Sequence, residues 1–413
     1  MSVDHRSVAP LGDEPLTLCV LCGINRIGRI GGGSVGGAVT GGIRLVRSSR
    51  TGWGHDIEAR SPRAASAARS PASPRDYRLD ILRGLAICLI LVRHTRPLGN
   101  FWQLPVRVPT WFFNSEVGMM TVPVLFLVSL MLFTQRASRG LAYLWRRLQR
   151  LLLLLAVCFA LQVLVYVAAV RHRPAIGWHE VLLGGPSLPR VGDSVFYFLV
   201  TLLLLTALAW PYAQLPAKWR TIIGLVIVVA NIVVFEALTF VSWSLPYYSP
   251  LNFLVYIPLA DFLVRYRSTL SRWFWVMTAG FAVLACQNML LLSPWGLSLH
   301  DAQSSQAFAR PSIVLGAVCL VVAFQRFSIP RWRLLELAGR YSLGLYVVHK
   351  WVWYVVALLA AEVSVSHHVN YFVPIAVSAV TILLSCLLVA LLSRTPARFI
   401  VTTESRGGHR LAP

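Results

Sequence analysis

The sequence predicts an all-α polytopic membrane protein, about ten transmembrane helices in one bundle, and three observations carry that expectation. The 413 residues are 56% hydrophobic and only 13% charged, against about 25% charged in ordinary soluble domains. The mean hydropathy is +0.65. Basic residues fall between long apolar runs, alternating from one loop set to the other. A soluble enzyme, a disordered chain and a coiled coil are therefore excluded. The formal net charge of +22 would suggest nucleic acid in a soluble protein. Between apolar runs it reads instead as loop charge beside a membrane, with no nucleic-acid partner.

Residues 1–75 stand apart. They are rich in Gly, Ser, Arg and Ala, as in Gly31–Gly33 and Ser61–Ser73. The glycine run lacks the Gly-Lys-Ser/Thr of a phosphate loop. Its apolar patches are too short to span, and it lacks the order of a signal peptide. A disordered cytoplasmic extension, or translated sequence upstream of the true start, is expected. Cys19 and Cys22 form a Cys-x-x-Cys with no second pair or histidines at zinc spacing, so no metal site is expected.

A helix needs about 20 apolar residues to cross a bilayer. Ten runs qualify, covering roughly 79–97, 117–135, 151–170, 194–210, 221–241, 250–265, 273–293, 311–326, 342–361 and 372–393. The first, sixth and eighth are short or interrupted by polar residues. One loop set carries Arg78, Arg83, Arg136, Arg139, Arg146, Arg147 and Arg150, then Lys218, Arg220, Arg265, Arg267, Arg272, Arg326, Arg331, Arg333 and Arg340. The other holds few basic residues, Arg93, Arg173 and Arg310 among them. The positive-inside rule then puts both termini in the cytoplasm. That outcome requires an even span count, and eight satisfies it as well as ten. The domain reading is 1–75 extension, 76–400 transmembrane catalytic domain and 401–413 cytoplasmic tail.

Ionisable groups inside spans are costly, and so they point to function. The first span is densest in them, running from Arg78 through Asp80 and Arg83 to Arg93 and His94. Arg83 and His94 are eleven positions apart, about three helical turns or 16 Å of rise on nearly one face. A cation and a titratable imidazole on one stripe suit an anionic donor and a proton transfer. An interfacial histidine at a span end is the bland alternative. A second element runs from Thr121 to Ser129 and on to Arg147 and Arg150. The i, i+3 spacing turns both guanidiniums the same way, as a diphosphate needs; a positive-inside anchor needs no more than that. A third runs from Gly339 through Ser342 and Tyr346 to His349, where a buried structural histidine is the alternative. Asn231, Glu236, Asp261, Gln287 and Asn288 are further polar residues in spans, and the two acids have arginines or histidines as expected partners.

Taken together and in order, these elements resemble bacterial acyltransferase family 3, integral membrane O-acyltransferases of surface and secreted glycans. Arg78-Leu79-Asp80-Ile81-Leu82-Arg83-Gly84 and Arg83-x10-His94 match the opening of the family's first span closely. Val122 to Ser129 matches its second span loosely. Arg147 and Arg150 match its Arg-x-x-Arg, and Gly339, Ser342, Tyr346 and His349 its late Gly-x-x-Ser-x-x-x-Tyr-x-x-His. The resemblance covers about 79–400. Leu130 stands where the family has Gly, and Arg394-Thr395-Pro396 where it often has an acidic residue before Pro.

The resemblance implies His94 as catalytic base, and Arg83, Arg147 and Arg150 as the donor-binding residues. Asp80, Ser129, Tyr346 and His349 are secondary candidates. It implies acetyl-CoA or a similar acyl-CoA as co-substrate, no permanently bound cofactor, no metal, and a glycan or glycolipid acceptor at a bacterial plasma membrane. The acceptor class stays open among O-antigen, exopolysaccharide, peptidoglycan, glycolipid and an antibiotic sugar. A transporter or flippase of a polar lipid-linked saccharide is the alternative class, since it too needs many spans with few buried charges.

Overall fold

The computed structural model describes residues 76–95, 112–169, 193–239, 249–292, 308–361, 373–395 and 398–401. The extension 1–75 and the tail 402–413 lie outside the described residues, as does the Cys19/Cys22 pair. The described secondary structure is helical. It comprises α1 (Tyr77–Thr95), α2 (Gly118–Thr134), α3 (Leu141–Ala169), α4 (Asp193–Gln214), α5 (Ala217–Thr239), α6 (Tyr256–Arg265) and α7 (Arg267–Arg272). It continues with α8 (Phe274–Leu292), α9 (Pro311–Arg326), α10 (Arg333–Arg340), α11 (Ser342–Ala361), α12 (Val373–Ser393) and α13 (Arg398–Val401).

Each of the ten expected runs overlaps one of these helices, and residues 96–97, 170, 240–241, 293 and 372 of those runs lie outside the described residues. Five segments of the described residues are long and apolar enough to cross a membrane: Phe113–Thr134, Phe196–Gln214, Ala217–Leu238, Phe274–Leu291 and Val373–Ser393. The expected second span begins earlier than the sequence indicates, because a π-helical turn, Phe113–Val117, runs unbroken into α2. The expected sixth span is broken, with a 3₁₀ turn at Pro250–Phe253 ahead of the ten-residue α6. Pro311 opens α9 at its first turn, where the missing N–H costs nothing. Between α2 and α3 the chain reverses at Gly140, whose φ of +82° is open to glycine without strain.

Burial sorts the helices. Of the apolar window of α2 and its π-turn, 72% is buried, against 17% for α5, 17% for α8 and 22% for α12. The α2 helix is therefore the core helix, packed on α1, α6, α9 and α4. On α5, Leu225, Val226, Val229 and Val233 are exposed. An apolar face of that length has lipid as its matching solvent, since hydrocarbon carries no cost for exposed aliphatic groups. Trp145, Trp219 and Trp273, at the starts of α3, α5 and α8, are also more than half exposed. That is the placement of an interfacial aromatic belt.

Candidate functional site

The site begins at the two ends of α1. Near its start Asp80 is buried, and its Oδ1 lies 3.8 Å from Arg83 Nη1. The pair sits one turn apart on the helix, against α10. The α1–α10 contact is made backbone to backbone. A Cβ at Gly84 would lie 1.9 Å from the Leu335 carbonyl oxygen, and one at Gly339 would lie 1.7 Å from the Asp80 carbonyl oxygen. The glycines of two separate motifs therefore serve one helix crossing.

At the other end of α1, half-buried His94 meets α11. Its ring centroid lies 5.3 Å from that of His349, with the planes tilted by 35°. His349 is fully buried. Its Nδ1 lies 2.7 Å from the Tyr346 carbonyl oxygen and 3.1 Å from that of Leu345. Carbonyls only accept, so Nδ1 is assigned as the donating N–H and Nε2 keeps its lone pair. That Nε2 is buried without a hydrogen-bond partner among the described residues. Tyr346 stands edge-on to His349 at 5.6 Å and meets Phe198 at 4.3 Å with the rings tilted by 37°. Phe198 in turn meets Phe126 of α2 at 4.7 Å. The second imidazole thus adjoins a chain of aromatic contacts that reaches the core helix.

The arginines of α3 divide. Arg147 turns to α2, where it donates to Ser129 Oγ at 2.7 Å and to the Ser129 carbonyl oxygen at 3.2 Å. Its guanidinium also lies over the Phe133 ring at 5.2 Å. Arg150 is exposed, and its Nε reaches the Arg146 carbonyl oxygen at 3.4 Å. Shared spacing therefore gives the two different surroundings. Leu130, in place of the glycine of the resembled pattern, is completely buried in α2; the position is filled by side chain.

The structure thus brings together His94, His349 and Tyr346 in one group, Arg147 and Ser129 in a second, and Asp80 and Arg83 in a third. Other polar residues pair in ways the spacing does not reveal. Asp261, 1% exposed, takes Arg220 at 3.0 Å and Arg265 Nε at 2.7 Å. Glu236 pairs with Gln287, an amide where an arginine or histidine was expected. Glu336 of α10 accepts from Arg331 at 2.7 and 3.1 Å and also from Arg340. These hydrogen bonds hold its carboxyl down at about 2.

A further buried ion pair, Glu116 with Arg310, escaped the sequence reading; its Nη2–Oε1 separation is 3.1 Å. The available signal was an acid and an arginine, each set at the start of an apolar run. Their separation by nearly two hundred residues hides the pairing.

Chemically, an imidazole braced by a second imidazole can take up a proton from a hydroxyl. Arg83, at the opposite end of α1, and Arg147 and Arg150 of α3 can hold an anion. No curated protein and no solved structure matches the chain. A family model described as Acyltransferase domain matches residues 76–394, most of the chain and every helix that carries these groups. The chain belongs to acyltransferase family 3, and it is a membrane acyltransferase.

Proposed function

We propose that this protein transfers an acetyl or other short acyl group from acyl-CoA to a hydroxyl of a cell-envelope glycan or glycolipid. The observation that carries the reading is the contact of His94 with buried His349, on a helix whose other end bears Arg83. His94 acts as general base. It accepts the proton of the acceptor hydroxyl as the oxygen attacks the thioester carbonyl. The C–S bond then breaks, the proton passes to the leaving thiolate, and the products are an ester and CoA. Arg83, Arg147 and Arg150 hold the diphosphate of the donor, as guanidinium forks do. Asp80 positions Arg83, Ser129 positions Arg147, and Tyr346 with His349 positions His94.

In this reading residues 76–400 form one bundle of about ten spans in a bacterial plasma membrane. Both termini and the arginine-rich ends face the cytoplasm, where acyl-CoA is made. His94 lies toward the far face, so the acyl group reaches an acceptor across the membrane. Residues 1–75 and 401–413 are cytoplasmic extensions.

The test uses the full chain in nanodiscs. Acetyl-CoA binding and released thiol are measured for wild type, His94→Ala and Arg150→Ala. The wild type is expected to release thiol. His94→Ala is expected to lose about 10²–10⁴-fold of that rate, the usual worth of a positioned base. Arg150→Ala is expected to bind acetyl-CoA more weakly. Movement of a lipid-linked sugar without thioester loss would replace this reading with transport.

A further inference from the structure

Beyond the histidine pair, a second set of polar side chains is buried at the end of the bundle where α1 finishes. Glu116, in the π-helical turn before α2, is 0% exposed, and Arg310, just ahead of α9, is 4% exposed. Arg310 Nη2 lies 3.1 Å from Glu116 Oε1 and also donates to the Ser115 carbonyl oxygen. Asn288 of α8 donates to Ser312 Oγ at 2.6 Å and to Glu116 Oε1 at 3.5 Å, and Ser312 is itself a hydrogen-bond partner of Glu116.

Hydrogen-bonding capacity is left over. Glu116 Oε2 and Arg310 Nε are buried without a partner among the described residues, and so is Asn114 Nδ2 on the same π-turn. Burying such atoms unsatisfied is costly, and most of all for charged groups. The idle set is one carboxylate oxygen acceptor and two donor nitrogens. Glu116 and Arg310 cancel in charge, so the seat does not favour a phosphate. A hydroxyl both donates and accepts, and neighbouring hydroxyls of a sugar ring satisfy such a mixed set.

The position fits. Arg93, the residue before His94, lies against Gly118, where an added Cβ would stand 2.9 Å from Arg93 Cδ. Gly118 follows Glu116 by two residues. The contact sets the His94 end of α1 beside the first residue of α2, at the same end of the bundle as the π-turn that carries Glu116.

We infer that Asn114, Glu116 and Arg310 seat the sugar ring of the acceptor through hydroxyls next to the one acylated. This inference rests on the acyltransferase reading with His94 as base.

The test measures acetyl-CoA thiol release by the nanodisc protein, with methyl glycosides of glucose, galactose and mannose as acceptor probes. At least one glycoside is expected to stimulate the wild type. Glu116→Gln and Asn114→Ala are each expected to raise its half-saturating concentration about tenfold or more, the loss of one good hydrogen bond. The half-saturating acetyl-CoA concentration is expected to stay within twofold. Glu116→Gln leaves Arg310 without its counter-charge and risks misfolding. Asn114→Ala removes an amide whose Nδ2 has no partner among the described residues, so it keeps the test open. Wild-type glycoside affinity in the Asn114→Ala variant, or parallel loss of donor and glycoside affinity in both variants, would overturn the seat and leave a structural ion pair. A wild type stimulated by no glycoside overturns the sugar assignment alone. A wild type that releases no thiol overturns the donor reading beneath it.

Discussion

At the scale of single residues, the surroundings of His94 favour the proposed base over a histidine that merely ends a span. His94 is half-buried and stands ring to ring with His349, whose own N–H is committed to backbone carbonyls. His349 therefore presents a lone pair and does not compete as a donor. If His349 positions His94, His349→Gln should lower kcat about tenfold, less than the loss of a direct proton carrier. The KM for acetyl-CoA should stay within twofold, and steady-state kinetics in nanodiscs read the split. A larger loss with a changed pH profile would move His349 into the proton path. Arg310 has a different dependence. Removing one partner of a buried ion pair leaves an uncompensated charge, at a cost of about 3–5 kcal/mol. Arg310→Gln should therefore lower the unfolding midpoint, and Arg310→Gln combined with Glu116→Gln should recover most of it. Additive losses in thermal melts would argue against the pair.

Among the elements, the α1–α10 crossing has the tightest tolerance. Gly84 and Gly339 face carbonyl oxygens of the opposing helix at under 2 Å from a hypothetical Cβ, and backbone cannot yield as a flexible side chain does. Gly84→Ala and Gly339→Ala should each destabilise at the upper end of the about 1–3 kcal/mol typical of overpacking, or beyond it. A melting curve within error of wild type would show that the helices part easily. The same helix carries a pH-sensitive contact. Arg331 and Arg340 hold Glu336 at about 2, below an unfolded value of about 4.3. The stability this contributes is fully present above the unfolded value and is lost as pH falls toward 2. Chemical unfolding between pH 6 and pH 3 should thus show a pH-dependent loss that Glu336→Gln lacks. An identical slope in both proteins would assign the acid sensitivity to other groups.

For the whole molecule, the exposed apolar faces of α5, α8 and α12 surround a core built on α2. The charge pattern adds a direction that burial does not supply. Under the proposed topology, a fluorescent-protein fusion after Arg139 or after Arg326 should fluoresce, and a phosphatase fusion near Arg173 should be active. The opposite pattern would invert the orientation and with it the assignment of donor and acceptor sides.

Much of this was legible in the chain because span length, loop charge and motif order are local properties. The apolar runs marked the helices, and Arg83-x10-His94 lies within a single helix whose rise is known in advance. The boundaries of the second and sixth spans were misjudged, because a π-turn and a 3₁₀ break leave hydropathy unchanged. The spacing of Arg147 and Arg150 implied one orientation, yet packing against Ser129 engages only the first.

What the sequence determined by itself is the membrane class, the family resemblance and the residues able to do chemistry. What only the tertiary structure decided is which of them meet: His94 with His349, Gly84 with the backbone of α10, Glu116 with Arg310. The reason is physical. Periodicity and composition report which face of a helix is apolar, whereas a contact between distant helices depends on their crossing and depth, which no local pattern encodes.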